Sequence, residues 1–139
     1  MILYLDTSAL VKLFLTEPGS EAVRARGREA EHIATSQVTY AEAMATFARR
    51  HREGRLDAEQ VQTLVTELDR LWSDVAVLAV DEIAAGRLAL KHALQGFDAI
   101  HLAAALRLGQ GMRPVELEFV SFDEGQIAAA RDEGLMVSE

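Results

Sequence analysis

Residues 2–10 read ILYLDTSAL, a short apolar run that ends at an acidic residue and continues into a helical pattern. We predict a strand over Ile2–Leu5 and a helix over residues 8–15. The same succession of strand and helix recurs along the chain, and strands that alternate with helices favour a parallel sheet. The sequence therefore predicts an α/β fold, a three-layer α/β/α sandwich with a central, mostly parallel sheet.

Periodicity, caps and breaks place the later elements. Asp57 and Gln60 have the spacing of a capping box, and Gly54 stands where the preceding helix would end. The run 75–80 does not alternate, which is typical of a strand buried on both faces. The other predicted strands cover residues 33–35, 117–121 and 135–137, and the other helices cover residues 20–30, 40–52, 57–72, 82–94, 97–108 and 124–133.

The composition indicates a folded protein of one domain. The chain has 139 residues, of which 50% are hydrophobic, and it contains no cysteine. We expect a single domain over residues 1–139 that buries about two-thirds of its unfolded surface. The sequence has no stretch near the roughly 20 apolar residues of a membrane span and no basic segment typical of a signal peptide. We therefore expect a soluble, cytoplasmic protein with no membrane contact.

The net charge of −8 argues against a protein that coats nucleic acid, because such proteins are usually basic. The charge is compatible with a nuclease that collects carboxylates to hold metal ions, since bound cations reverse the local sign. The positions of the acidic residues on the predicted fold therefore matter more than their number.

Four acidic residues fall where the predicted strands end or helices begin. Asp6 directly follows the first strand, and Asp123 lies two residues beyond the predicted 117–121 strand. Glu42 lies in the first predicted turn of one helix, and Asp98 lies in the first turn of another. Because ligands bind beyond the carboxyl ends of parallel strands, we predict that the four side chains converge on one rim.

Carboxylates that converge in this way repel one another unless protons or cations intervene. Oxygen-only ligands suit Mg²⁺ or Mn²⁺, and a metal-bound water can attack a phosphodiester. Each acid also has a simpler interpretation. Asp6 and Asp123 are good helix N-caps, and Glu42 and Asp98 would be favoured by a helix dipole. The residues alone leave both interpretations open.

In the order in which they occur, four segments resemble the PIN domain family: LYLDTSAL at residues 3–10, VTYAEA at 38–43, GFDAIHLAAA at 96–105 and FVSFD at 119–123. The resemblance implies a metal-dependent endoribonuclease in which Mg²⁺ or Mn²⁺ is held by four acids, namely Asp6, Glu42, Asp98 and Asp123. It also implies that the hydroxyls of Thr7 and Ser121 support those acids.

The short length resembles the VapC-type toxins within that family. This resemblance implies an RNA substrate, a homodimer, and a small cognate antitoxin that blocks the site and carries its own DNA-binding segment. The residues themselves favour a dimer only indirectly. Leu13, Phe14 and Phe47 give their helices more apolar surface than one monomer is expected to bury.

Three other functions are compatible with parts of the pattern. A catalytically silent PIN-like module that binds RNA or protein would not need all four acids, which are present. A phosphotransfer receiver would need a lysine after the late strand, and none lies near Ser121 and Asp123. A flap-type DNA nuclease would need extra helices, for which the chain has no room.

Several polar residues allow two interpretations. His101 lies three residues after Asp98 and could contact RNA or exchange a proton, but its apolar neighbours favour a buried, hydrogen-bonded histidine. Asp81 follows a predicted strand, and we interpret it as a helix cap rather than a metal ligand. The basic run 49–52 with Arg55 could steer an RNA backbone or could be a solvated helix end. The other histidines are expected at the surface: His32, His51 and His92.

Overall fold

The computed structural model describes residues 1–138 and alternates strands with helices as predicted. The strands are β1 Ile2–Leu5, β2 His32–Ser36, β3 Ala76–Leu78, β4 Leu117–Val120 and β5 Met136–Ser138. The helices are α1 Thr7–Leu10, α2 Ser20–Glu29, α3 Val38–Arg52, α4 Ala58–Trp72, α5 Glu82–His92, α6 Gly96–Leu108 and α7 Glu124–Asp132. Short 3₁₀ turns cover Val11–Leu13 and Pro114–Glu116.

The five strands form one sheet in the order β3-β2-β1-β4-β5, and every neighbouring pair is parallel. The central strand β1 pairs with β4 so that Leu5 lies opposite Val120. The pairing extends one residue further, since the amide of Asp6 donates to the carbonyl of Val120 at 3.2 Å. The register therefore brings Asp6 and Ser121 to the same point on the carboxyl edge of the sheet.

The two faces of the sheet carry separate apolar cores. Leu3 and Leu5 of β1 point into a cluster with Phe47 and Leu68 from α3 and α4. Tyr4, between them, points into the opposite cluster, which α6 and α7 complete. Successive side chains of a strand face opposite sides, so this alternation places helices on both faces. The predicted three-layer α/β/α sandwich is confirmed.

The strand near residues 75–80 differs from its prediction. It is shorter, and Ala76 and Val77 are exposed, because β3 pairs only with β2 and forms an edge of the sheet. An apolar run without alternation does not reveal whether a strand lies at the centre or at the edge.

Two side-chain predictions also need correction. Phe47 is only 1% exposed and lies in the core, where Leu13 and Phe14 pack against its cluster, so these residues do not form an unburied apolar surface. His92 is partly buried and hydrogen bonds to Glu133 at 2.8 Å, whereas it was expected at the surface.

No helix within residues 1–138 is long and apolar enough to cross a membrane.

The predicted helix signals around residues 54–60 are present. Gly54 has φ +74°, a left-handed conformation that favours glycine after a helix. Asp57 then accepts from the amide of Gln60 at 2.7 Å, and the Gln60 side chain accepts from the amide of Asp57 at 2.8 Å. This reciprocal pair starts α4, which buries Leu64 and Leu68 against the sheet.

Candidate active site

Asp6 is fixed at the end of the central strand and is only 3% exposed. Its Oδ1 accepts from the Ala9 amide at 2.9 Å and the Ser8 hydroxyl at 2.7 Å, and its Oδ2 accepts from the Ser121 hydroxyl at 2.7 Å. Burial raises the pKa of Asp6, and these hydrogen bonds only partly oppose that shift. Asp6 is therefore an N-cap, as the simpler interpretation requires, and it is also part of a polar network that crosses the sheet edge.

A fully buried glutamine connects Ser121 after β4, the backbone of Asp98 in α6 and Asp123 at the start of α7. The backbone N–H of Gln126 donates to Asp123 Oδ1 at 2.8 Å, and its side-chain Nε2 donates to the backbone carbonyl of Asp98 at 3.1 Å. Ser121 Oγ lies 3.2 Å from the Gln126 side-chain oxygen and accepts from the Asp123 amide at 3.1 Å. The sequence analysis did not identify Gln126. A glutamine three residues after a capping Asp was the available signal.

Glu42 belongs to a second network. Its Oε1 accepts from the Thr7 hydroxyl at 2.5 Å and lies 3.0 Å from His101 Nε2. Burial acts to raise the pKa of Glu42, but the hydrogen bonds from His101 and Thr7 outweigh it and the net shift is downwards. Because α3 begins at Val38, Glu42 lies beyond its first turn, so the predicted first-turn position is wrong.

Asp98 lies in the first turn of α6, as predicted, and its side chain has no hydrogen-bond partner within residues 1–138. Burial raises the pKa of Asp98, and the negative charges of Asp123, Asp6 and Glu42 raise it further. Asp98 therefore lies within electrostatic range of the other three acids. Its charge is also the least compensated of the four.

The chemistry of this rim fits a hard divalent cation. The acids offer oxygen ligands, and both hydrogen bonds to the Glu42 carboxylate fall on Oε1. Within residues 1–138, however, no three Asp, Glu or His side chains lie close enough to form a metal site by themselves. Mg²⁺ usually keeps several waters and binds only one or two carboxylates directly, so a wider acidic rim still suits it.

Other polar residues lie outside the rim. Asp81 accepts from the Ala84 amide at 3.0 Å, which is the helix cap predicted for it. In the basic run, Arg50 binds Glu17 at 2.5 Å and is not free, whereas Arg49 and Arg52 are exposed. A surface cavity of about 440 Å³ beside α4 is lined by none of the four acids.

Lys12 is a basic residue close to the rim that the sequence analysis did not single out. It binds Glu17 at 2.9 Å, and its Nζ lies 4.4 Å from the centre of the Phe122 ring, next to Asp123. The ring and the ion pair fix Lys12, which is 9% exposed.

A parallel sheet with strand order 3-2-1-4-5 and an acidic rim beyond its carboxyl edge defines the class of the protein as a PIN-like α/β fold. The family model described as PIN domain matches residues 3–132, so the chain belongs to the PIN domain family. The resemblance proposed from the sequence is thereby confirmed.

Two similar proteins are ribonucleases of Mycobacterium tuberculosis. Ribonuclease VapC45 is 35% identical over 111 residues, which cover 78% of this chain and 77% of that protein. Ribonuclease VapC47 is 30% identical over 141 aligned residues, which cover 99% of this chain and 96% of that protein. The chain is therefore homologous to VapC ribonucleases over nearly its whole length.

Solved structures agree with this placement at the level of the fold. FitAcB from Neisseria gonorrhoeae aligns with a TM-score of 0.68 at 21% identity, covering 100% of this chain and 97% of that one. VapBC-1 from nontypeable Haemophilus influenzae aligns with a TM-score of 0.65 at 19% identity, covering 100% and 98%. A structure described as a toxin–antitoxin complex from Klebsiella pneumoniae aligns with a TM-score of 0.59 at 21% identity, covering 91% and 90%.

Proposed function

We propose that the chain is a Mg²⁺- or Mn²⁺-dependent endoribonuclease, a hydrolase that acts as the toxin of a toxin–antitoxin pair through one nuclease domain over residues 1–139. The observation that carries this proposal is that the charges of Asp123, Asp6 and Glu42 all raise the pKa of Asp98, in a homologue of VapC ribonucleases. Because the substrate would be cellular RNA, we place the activity in the cytoplasm.

The metal would be held by Asp6, Glu42, Asp98 and Asp123. A bound divalent cation lowers the pKa of its water and offsets the negative charge of a phosphodiester. The Ser121 and Thr7 hydroxyls orient Asp6 and Glu42 by hydrogen bonds, as their proposed supporting role requires. Asp98 has the least compensated charge, so its interaction with a cation would be the most favourable.

The alternative is a catalytically silent module that binds RNA or protein. Asp98 argues against it, because a partly buried carboxylate whose pKa is raised by three other acids destabilises the metal-free fold. A binding scaffold would gain nothing from a carboxylate that destabilises the fold. We therefore favour the nuclease, in which the same charge contributes to metal binding.

The proposed partners are RNA, a cognate antitoxin and a second copy of the chain. The antitoxin is supported by the similar structure from K. pneumoniae that is described as a toxin–antitoxin complex. The homodimer is supported by Ile83 and Leu90, which are 60% and 89% exposed and lie seven residues apart on one face of α5. Light scattering should give a dimer mass for the wild type and a monomer mass for Leu90→Glu. A monomeric wild type would contradict the homodimer.

Cleavage of a mixed RNA pool tests the nuclease. The wild type would be assayed with Mg²⁺, with Mn²⁺ and with EDTA, beside Asp98→Asn and Asp81→Asn. Asp81 provides a matched control, since it also lies at a helix N-terminus and asparagine still caps a helix well. We expect metal-dependent cleavage that falls at least about 100-fold in Asp98→Asn and is unchanged in Asp81→Asn.

Two outcomes would contradict the proposal. Full activity of folded Asp98→Asn would show that the rim does not carry the reaction. No cleavage by folded, antitoxin-free wild type, together with no binding of Mn²⁺, would favour the silent module.

A further inference from the structure

A buried chain of hydrogen bonds lies behind Glu42. The Tyr4 hydroxyl is 3.0 Å from His101 Nδ1, and His101 Nε2 is 3.0 Å from Glu42 Oε1 and 3.2 Å from Thr7 Oγ1. Tyr4 is 0% exposed and His101 is 2% exposed. The chain therefore connects the core beneath the sheet to a carboxylate of the rim.

The Tyr4 hydroxyl determines which nitrogen of His101 carries the proton. A neutral imidazole has one N–H and one acceptor nitrogen. A tyrosine hydroxyl ordinarily loses its hydrogen only near pH ~10, so the Tyr4 hydroxyl keeps its hydrogen at neutral pH. Within residues 1–138, its hydrogen-bond partner is Nδ1 alone. If Nδ1 carried the proton, the buried hydroxyl hydrogen would have no acceptor, so Nδ1 accepts and Nε2 is protonated.

This tautomer has a direct consequence at Glu42. The Nε2–H group donates to Oε1, and the Thr7 hydroxyl donates to the same oxygen at 2.5 Å. The other tautomer would place a nitrogen lone pair against the carboxylate and would repel it. Two donors on Oε1 restrict a flexible side chain and leave Oε2 without a hydrogen bond within residues 1–138.

We propose that Tyr4 and His101 are positioning residues for Glu42: Tyr4 keeps His101 in the Nε2–H tautomer, and this N–H holds Oε1 so that Oε2 is free to bind the metal. The inference rests on the proposed function, in which Glu42 is a metal-binding acid. Partners of this kind behind a metal-binding side chain usually change metal affinity by about 10- to 100-fold when they are removed.

The tautomer is tested first, on metal-free protein labelled with ¹⁵N. Two-bond proton–nitrogen correlations distinguish the tautomers of each of the four histidines, and the His101→Gln spectrum assigns the signal of His101. We expect Nε2–H in the wild type and a mixture of tautomers in Tyr4→Phe. A wild type in the Nδ1–H form or with both ring nitrogens protonated, or a Tyr4→Phe protein with unchanged His101 signals, would overturn the inference.

Metal affinity is tested next, by calorimetric titration with Mn²⁺. The Gln amide nitrogen can reach the position of Nε2, whereas the Asn amide reaches only the position of Nδ1. We expect His101→Asn to bind Mn²⁺ about 10-fold more weakly than the wild type, with most of the loss recovered in His101→Gln. Tyr4→Phe should also weaken binding, and it keeps the test valid if His101→Asn does not fold.

The outcomes separate the inference from the proposed function. A wild type that does not bind Mn²⁺ and does not cleave RNA refutes the proposed function, whatever the tautomer. A wild type that binds Mn²⁺, with equal affinities in the wild type and folded His101→Asn, refutes the positioning role and leaves the nuclease intact. Equal losses in His101→Gln and His101→Asn would show a packing role only, which also overturns the inference.

Discussion

Replacing Ser121 with alanine tests whether Asp6 is an ionised carboxylate in the core of the site. The Ser121 hydroxyl donates to Asp6 Oδ2 at 2.7 Å, and both residues are buried. A hydrogen bond to a charged group contributes about 1.5–3 kcal/mol, and the carboxylate would remain buried with one donor fewer. We expect Ser121→Ala to lower the free energy of unfolding by about 2 kcal/mol near neutral pH.

The loss should depend on pH, and its sign follows from the pKa of Asp6. Burial raises that pKa in the folded state, so the stability linked to Asp6 is present below its unfolded pKa and is lost as the pH rises through the folded pKa. Ser121→Ala removes a donor to the ionised form and raises the folded pKa further. At acid pH, where Asp6 is neutral, the loss should fall to about 1 kcal/mol, the value of a neutral hydrogen bond.

Urea unfolding followed by circular dichroism, from about pH 8 down to the lowest pH at which the wild type stays folded, measures both effects. Ser36→Ala is the matched control, because Ser36 is also buried at a strand end but, among residues 1–138, its side chain hydrogen bonds only to the Val38 amide, at 3.3 Å. Its loss should be about 1 kcal/mol at every pH. A loss in Ser121→Ala that is equally independent of pH would refute an ionised Asp6.

Three further perturbations have defined outcomes. Gly19→Ala should lower stability by about 1–3 kcal/mol in urea unfolding, because Gly19 has φ +91° and the new Cβ would lie 2.7 Å from the Phe122 ring. Arg50→Ala should lower the free energy of unfolding by about 2 kcal/mol in the same assay, because Glu17 loses a charged hydrogen-bond donor at 2.5 Å. An unchanged free energy of unfolding would show that this ion pair does not stabilise the fold. Asp98→Asn should raise the melting temperature of metal-free protein by on the order of 2 °C in calorimetry, because it removes a charge disfavoured by burial and by neighbouring acids; a lower value would indicate a structural role.

The layers of the fold were predictable because their signals are local. The capping pair of Asp57 and Gln60 marks the start of α4 in the sequence, and the structure contains both of its hydrogen bonds. The start of α3 has no such signal, since Gln37 at its N-cap makes no side-chain hydrogen bond. The predicted start was therefore two residues late, and Glu42 was assigned to the wrong turn. The edge position of β3 depends on strand pairing, which the run itself does not encode.

In the candidate site, too, the features with a local sequence signal were predictable and the contacts between distant residues were not. The capping positions of Asp6 and Asp123 can be read from short segments, because each accepts from an amide three residues later. The contacts that orient the site join distant residues, and Tyr4 and His101 are 97 positions apart. Sequence reasoning named the acids and the Thr7 and Ser121 hydroxyls, but it did not identify Gln126 or the contact between Tyr4 and His101.

The acidic rim connects stability to function in this protein. Burial raises the pKa of Asp6 and of Asp98, so the metal-free fold loses stability as the pH rises and these groups ionise. A cation that binds only the folded state recovers that loss in proportion to its affinity and concentration. It also reverses the local charge, which removes the repulsion between the rim and a polyanionic RNA. The net charge of −8 is therefore compatible with RNA cleavage, because the proposed substrate would meet the metal-bound rim rather than the bare carboxylates.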